Sequence, residues 1–245
     1  MTARQFALPL ALPASASRAD LIEDVSNAAA LAFLDRPETW PAGRLALHGP
    51  TGVGKTHMGR AFAAAQGWRR LEGPALRGLP PPAPGGTVLD DADTAAEETA
   101  LLHLLNLCAE RGEGLLLIGR EPPARWSIRL PDLRSRLRAV TAIGIGPPGD
   151  ALLAALLAKL FADRQLRVAP DVQAWLLARL PREAAALAEA AARLDRAALV
   201  ARGPVSRTLA RAVLAGWEGF ATGAEEDDRS ANDADTPSPQ EAALL

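Results

Sequence analysis

Gly49-Pro50-Thr51-Gly52-Val53-Gly54-Lys55-Thr56 fits the phosphate-loop pattern G-x-x-x-x-G-K-[ST] at every fixed position. Its neighbours supply the context that the pattern needs. Leu45-Ala46-Leu47 reads as a buried strand before the loop, and His57 to Ala65 reads as a helix after it. Gly52 and Gly54 let the backbone turn its N–H groups towards phosphate oxygens. The helix adds the positive end of its dipole. Lys55 is placed to reach the terminal phosphates and the Thr56 hydroxyl to ligate Mg²⁺. Pro50, Thr51, Val53 and His57 complete the candidate contacts of the loop. The bland alternative is a glycine loop that happens to precede a helix. The motif predicts binding of ADP or ATP with Mg²⁺; it does not by itself predict hydrolysis.

A second half of the site is expected on another strand. Thr87-Val88-Leu89 reads as a short buried strand ending in Asp90-Asp91. Open sheets place ligands at the carboxyl ends of their strands. Asp90 is therefore assigned to the metal and Asp91 to the attacking water. Asp91 or Asp93 capping the next helix is the structural alternative, and for Asp93 the preferred one.

The remaining pattern places these motifs. Asp20 to Asp35 reads as helical, with a break near Ser26-Asn27 where Asn27 would cap a second segment. Trp68 to Leu71 and Leu115 to Ile118 read as strands, as does Thr141 to Ile145. Glu72 to Gly86 is a Pro- and Gly-rich loop. Thr94 to Arg111 has helical periodicity, with Leu101, Leu104, Leu105 and Cys108 on one face. Asp132 to Arg138 is a short helix. Beyond Pro147-Pro148 only helices are predicted, over 150–165, 170–180, 182–201 and 206–216. The fold class is α/β: a parallel sheet with flanking helices, followed by a small helical domain. The expected division is 1–18, extended; 19–147, α/β; 148–219, helical; and 220–245, an acidic tail.

Composition narrows the function classes. The 245 residues are 49% hydrophobic, with a formal net charge of −2. The tail from Thr222 carries a net −6, which leaves the rest at about +4, too mild to mark a nucleic-acid surface. The single cysteine, Cys108, falls in an apolar helical pattern and reads as core. No basic-then-apolar leader opens the chain and no apolar run is long enough for a bilayer, so a soluble, cytoplasmic protein without a membrane partner is expected. Arg134, Arg136 and Arg138 stand at spacing two after the fourth strand and cannot all face one way on a helix. They are either a solvated basic face or include an arginine that reaches a neighbouring subunit's phosphate.

Together these pieces resemble the AAA+ ATPases, and within them the DnaA-related group. The loop continues as Gly-Lys-Thr-His-Met through His57 and Met58. Asp24-Val25-Ser26-Asn27-Ala28 resembles the Ser-Asn element that lines the adenine pocket in that group. The Asp90-Asp91 ending, the Pro122-Pro123 turn and Leu133-Arg134-Ser135-Arg136-Leu137, which resembles box VII, follow in the same order. The likeness runs over about residues 18–218. It implies that Ile22 and Asn27 contact the nucleotide and that Arg136 is the arginine finger. It also implies DnaA, and a homo-oligomer, as possible partners.

Gln5-Phe6-Ala7-Leu8-Pro9-Leu10 resembles the sliding-clamp-binding peptide of short DnaA homologues that shut off the initiator. Gln5, Phe6, Leu8, Pro9 and Leu10 are the implied contacts. The acidic tail stands where DnaA continues into a DNA-binding domain, so no direct sequence-specific DNA binding is expected. Two departures stand out. The sensor-1 strand ends Ile118-Gly119, without a polar side chain, and the sensor-2 arginine falls on Ala185, with Arg182 one turn earlier as a substitute. The resemblance then implies an ADP-bound regulator that activates hydrolysis on DnaA. A self-standing ATPase acting as a loader or adaptor is the alternative, and a degenerate module without nucleotide is the third reading.

Overall fold

The computed structural model describes residues 17–79, 84–217 and 220. The apolar runs are short, and two of them, in β1 (Arg44–His48) and β4 (Gly114–Gly119), are buried on both faces. Such strands belong in the middle of a sheet covered on both sides. The structure places them there. With β2 (Arg69–Glu72), β3 (Gly86–Asp90) and β5 (Thr141–Gly144) they form a five-stranded sheet in the order β2-β3-β4-β1-β5, parallel throughout.

Strand side chains alternate between faces, and the core divides accordingly. Leu45, Leu47, Leu116 and Ile118 meet α1 (Ala28–Leu34) and α2 (Lys55–Gln66) on one face. Ala46, Leu115 and Leu117 meet α3 (Glu98–Arg111) and α4 (Pro131–Arg138) on the other. Burying each such leucine contributes roughly 1.5–3 kcal/mol. Cys108 sits in this second cluster, and burial pushes its thiol up to about 11, so it is inert core as expected.

The helices α5 (Asp150–Asp163), α6 (Pro170–Leu177), α7 (Ala184–Ala201) and α8 (Arg207–Leu214) pack around a separate cluster that includes Leu157, Phe161, Leu176, Leu194 and Leu214. All four are shorter than the periodicity suggests.

One expected element is different. The stretch from Asp20 is not a helix up to Asn27; a single turn over Arg18–Asp20 gives way to irregular backbone, and α1 starts only at Ala28. The side chains explain this. Asp24 Oδ1 accepts from the Ser26 amide at 2.8 Å and from its hydroxyl. Asn27 Oδ1 accepts from the Asp24 amide at 2.9 Å, and Asn27 Nδ2 donates to the Ile22 carbonyl at 2.9 Å. These short polar side chains satisfy the backbone locally and so compete with the helix. Asn27 precedes α1 but makes no capping bond to it.

Among the described residues no helix is long and apolar enough to cross a membrane.

Candidate functional site

The strand order brings the carboxyl ends of β1, β3 and β4 to one edge. The loop leaves β1 there. Gly52 and Gly54 hold φ of +84° and +94°, a region in which any side chain is strained, and Gly54 opens α2. The Gly49 amide donates to the Arg120 carbonyl at the end of β4 (3.1 Å), which fixes the start of the loop. Lys55 Nζ donates to the Gly49 and Pro50 carbonyls, both at 2.7 Å, and so folds back over the loop's own mouth. Burial pulls its ammonium pKa down, opposed by Asp91, Asp93 and Asp90. Pro50 and Thr51 are exposed, Val53 and His57 half-buried. Burial also holds His57 below its usual range, against the pull of Asp20.

The second half of the site is assembled across 34 residues. Thr56 Oγ1 donates to Asp90 Oδ1 at 3.2 Å, and Asp90 is 3% exposed. A hydroxyl and a carboxylate side by side are hard oxygen donors. They suit a Mg²⁺ that takes its other ligands from phosphate and water. Arg70 of β2 stands 3.7 Å from the other Asp90 oxygen and balances its charge. Asp91 is exposed and left-handed (φ 48°), an unusual backbone state for a non-glycine residue. Its carbonyl accepts from the Thr94 amide and hydroxyl, and its carboxylate is directed to no hydrogen bond among the described residues. The loop, Thr56, Asp90 and Asp91 therefore lie at one edge of the sheet, with Thr56 and Asp90 in contact.

Asp93 is a correction. It does not cap α3, whose preceding residue Glu97 makes no capping bond either. Its carboxylate reaches 27 residues on and accepts from the Arg120 amide at 2.9 Å. A Cβ added at Gly119 would lie 3.3 Å from the Asp93 carboxyl carbon and 3.1 Å from Trp126. Asp93 and Trp126 thus fill the space that a side chain at position 119 would enter. No local signal in the sequence pointed to it, because the contact joins two strand ends.

The Asp24–Asn27 knot also ties the two halves of the chain. The Gly149 amide donates to Asp24 Oδ2 (3.3 Å) and the Gly146 amide to the Ser26 carbonyl (3.1 Å). The Ser26 hydroxyl, first, and the backbone amides hold the Asp24 carboxyl below its usual range. A depressed carboxyl contributes stability above its unfolded pKa, and that stability is lost as pH falls through the folded value. Asp24→Asn is expected to lower the melting temperature at neutral pH, with the gap to the wild type closing under acid. A gap that persists at acid pH would show that the charge is not responsible.

The three arginines of α4 separate clearly. Arg134 donates to the Ile128 carbonyl through Nε (3.0 Å) and again through its terminal nitrogen. Arg136 makes only an exposed pair with Asp132, one turn back, at 3.1 Å. Glu98 of α3 accepts from the Arg129 and Leu130 amides (2.8–3.1 Å) and anchors the entry to α4. Those amides hold its carboxyl low. In the helical half, Arg182 pairs with Asp150 of α5, and Ala185 is exposed. Gln5 to Leu10 lie outside the described residues.

No protein-family model matches the chain. Among solved structures, domain III of the replication initiation protein DnaA from Thermotoga maritima superposes with a TM-score of 0.68. The two share 15% identity over 82% of this chain and 95% of that one. The fold is that of an AAA+ P-loop NTPase. A point variant of RuvB from Thermotoga maritima shares this AAA+ fold at TM-score 0.62 and 14% identity, over 82% of this chain and 72% of its own. A DnaA bound to AMPPCP and single-stranded DNA matches at TM-score 0.58 and 14% identity, over 72% of this chain. The chain spans 63% of that longer initiator.

Proposed function

We propose that the chain is a nucleotide-binding regulator of replication initiation, similar in plan to Hda. In this reading residues 19–147 form the nucleotide-binding base and 148–219 its lid. ADP and Mg²⁺ are held by the loop 50–57 with Thr56 and Asp90, and Ile22 and Asn27 stand at the base of the nucleotide. Gln5, Phe6, Leu8, Pro9 and Leu10 dock on the sliding clamp. Arg136 acts on ATP held by DnaA. A DnaA-like fold with a DnaA-like order of motifs supports the choice of partner. The observation that carries the role is the contrast within α4: Arg134 is committed to backbone, whereas Arg136 is restrained by one surface pair. Such pairs are worth about 0–1 kcal/mol, so the guanidinium can be released to a stronger anionic partner.

The preference for ADP follows from the sensors. With Gly119 at the first position and Ala185 at the second, a terminal phosphate lacks the charge-assisted partner, worth about 1.5–3 kcal/mol, that an arginine at position 185 would supply. The rival reading, a self-standing ATPase, rests on the intact Thr56–Asp90–Asp91 arrangement. Steady turnover by the isolated chain, with ATP bound more tightly than ADP, decides for the rival.

The clamp reading has its own test. Substituting Gln5 and Leu8 together with alanine is expected to abolish co-elution with clamp and leave nucleotide binding at the wild-type level. Persistent co-elution by the double variant removes this segment from the mechanism. The whole proposal is tested by phosphate release from ATP-loaded DnaA, with and without clamp on DNA. Stimulation by this chain that depends on clamp is the expected result.

A further inference from the structure

At the edge of the helical half, the group that meets the phosphate loop is an acid. A Cβ added at Gly52 would lie 2.7–2.8 Å from the Glu183 side chain, its Cγ, carboxyl carbon and Oε2 alike. The carboxyl group therefore rests directly on the loop. The contact is held by backbone: the Ala184 amide, first in α7, donates to the Gly52 carbonyl at 3.2 Å. Glu183 immediately precedes α7 but makes no capping bond, and it forms no ion pair among the described residues. Arg182, the preceding residue, makes an exposed pair with Asp150. Three more carboxylates, of Asp91, Asp93 and Asp90, already act on Lys55.

We propose that Glu183 is a specificity-determining residue for nucleotide charge, disfavouring a third phosphate and so selecting a nucleoside diphosphate over a triphosphate. This rests on the nucleotide-binding reading above. One diphosphate terminus can be neutralised by Lys55, the loop amides and Mg²⁺. A further phosphate adds negative charge to a rim where Glu183 has no neutralising partner. Glu183 is exposed, so solvent reduces its repulsion of a further negative charge beside the loop without removing it. The lid contact and the exclusion are one device, because the amide bond to Gly52 is what brings the carboxylate to the loop.

The test is calorimetric titration of the full chain with ADP and with ATP, each with Mg²⁺, for wild type, Glu183→Gln and Glu183→Ala. Both variants are expected to improve ATP binding relative to ADP by about threefold to fivefold, with ADP affinity within about twofold of wild type. Glutamine keeps the shape of the side chain, so agreement between the variants separates charge from packing. The wild-type preference for ADP should also shrink as salt rises, and more steeply than that of Glu183→Gln. An unchanged ATP-to-ADP ratio in both variants overturns the assignment while leaving nucleotide binding in place. If the wild type binds neither nucleotide, the nucleotide reading fails and this inference fails with it.

Discussion

Arg136→Ala is expected to leave the fold, ADP binding and clamp association of this chain unchanged and to erase its stimulation of ATP hydrolysis on DnaA. An arginine supplied to a neighbour's nucleotide stabilises charge that develops only in the transition state. Its loss costs on the order of 10³-fold in rate in other phosphoryl-transfer switches. The structure shows why the chain itself should tolerate the change. Arg136 is half-buried, and its side-chain hydrogen bonds among the described residues go to exposed Asp132. Arg136→Lys should not rescue, because a point charge does not reproduce the planar fork. Arg134→Ala is the informative control. It removes the bonds to the Ile128 carbonyl and should loosen the entry to α4, lowering stability by about 0.5–1.5 kcal/mol while stimulation is largely kept. Arg138→Ala should have little effect on either measurement. ATP remaining on DnaA after incubation with clamp-loaded DNA is the readout. Full stimulation by Arg136→Ala sinks the finger assignment; failure of Arg134→Ala alone, in a protein of normal stability, moves the role to Arg134.

Lys55→Ala should reduce affinity for ADP and ATP by about 100-fold or more, the scale of losing charge-assisted bonds to two phosphate groups. Lys55 lies over the loop and, among the described residues, is bonded only to carbonyls of Gly49 and Pro50, which a phosphate oxygen replaces readily as the partner of an ammonium. Thermal melting gives an independent readout. A ligand that binds the folded state raises the melting temperature by mass action, so ADP should stabilise the wild type and not the variant. The variant without ligand should melt close to the wild type, since only two hydrogen bonds to loop carbonyls are lost, one part-buried and one exposed. ADP binding at wild-type affinity by Lys55→Ala would remove the loop from the proposed function.

Much of the fold was legible because its signals are local. The phosphate loop is eight consecutive residues, and the strand before it and helix after it follow from apolar runs and periodicity. All five strands lie where those runs place them, to within about a residue at each end, as boundary assignments generally scatter. Asp90 and Asp91 were legible for the same reason: a buried strand that ends in two carboxylates must deliver them to the sheet's edge. The region from Asp20 to Asn27 was misread because its residue types favour two structures. Propensity weighs the backbone alone, whereas Asp24, Ser26 and Asn27 bond to their own turn and to Gly149, 125 residues away.

By itself, then, the sequence determined the phosphate loop, the alternation of strands with helices, the buried Cys108 and the absence of a cation at position 185. Each depends on the identity or spacing of neighbours. Only the tertiary structure decided which strands adjoin, and hence that Thr56 meets Asp90. It also decided that Asp93 fills the space beside Gly119, that Arg134 is tied down where Arg136 is not, and that Glu183 rests on Gly52. Periodicity records which face of an element is buried but not what covers it. The covering partner is selected by packing between segments far apart in the chain, and the charges around the phosphate loop are arranged by that choice.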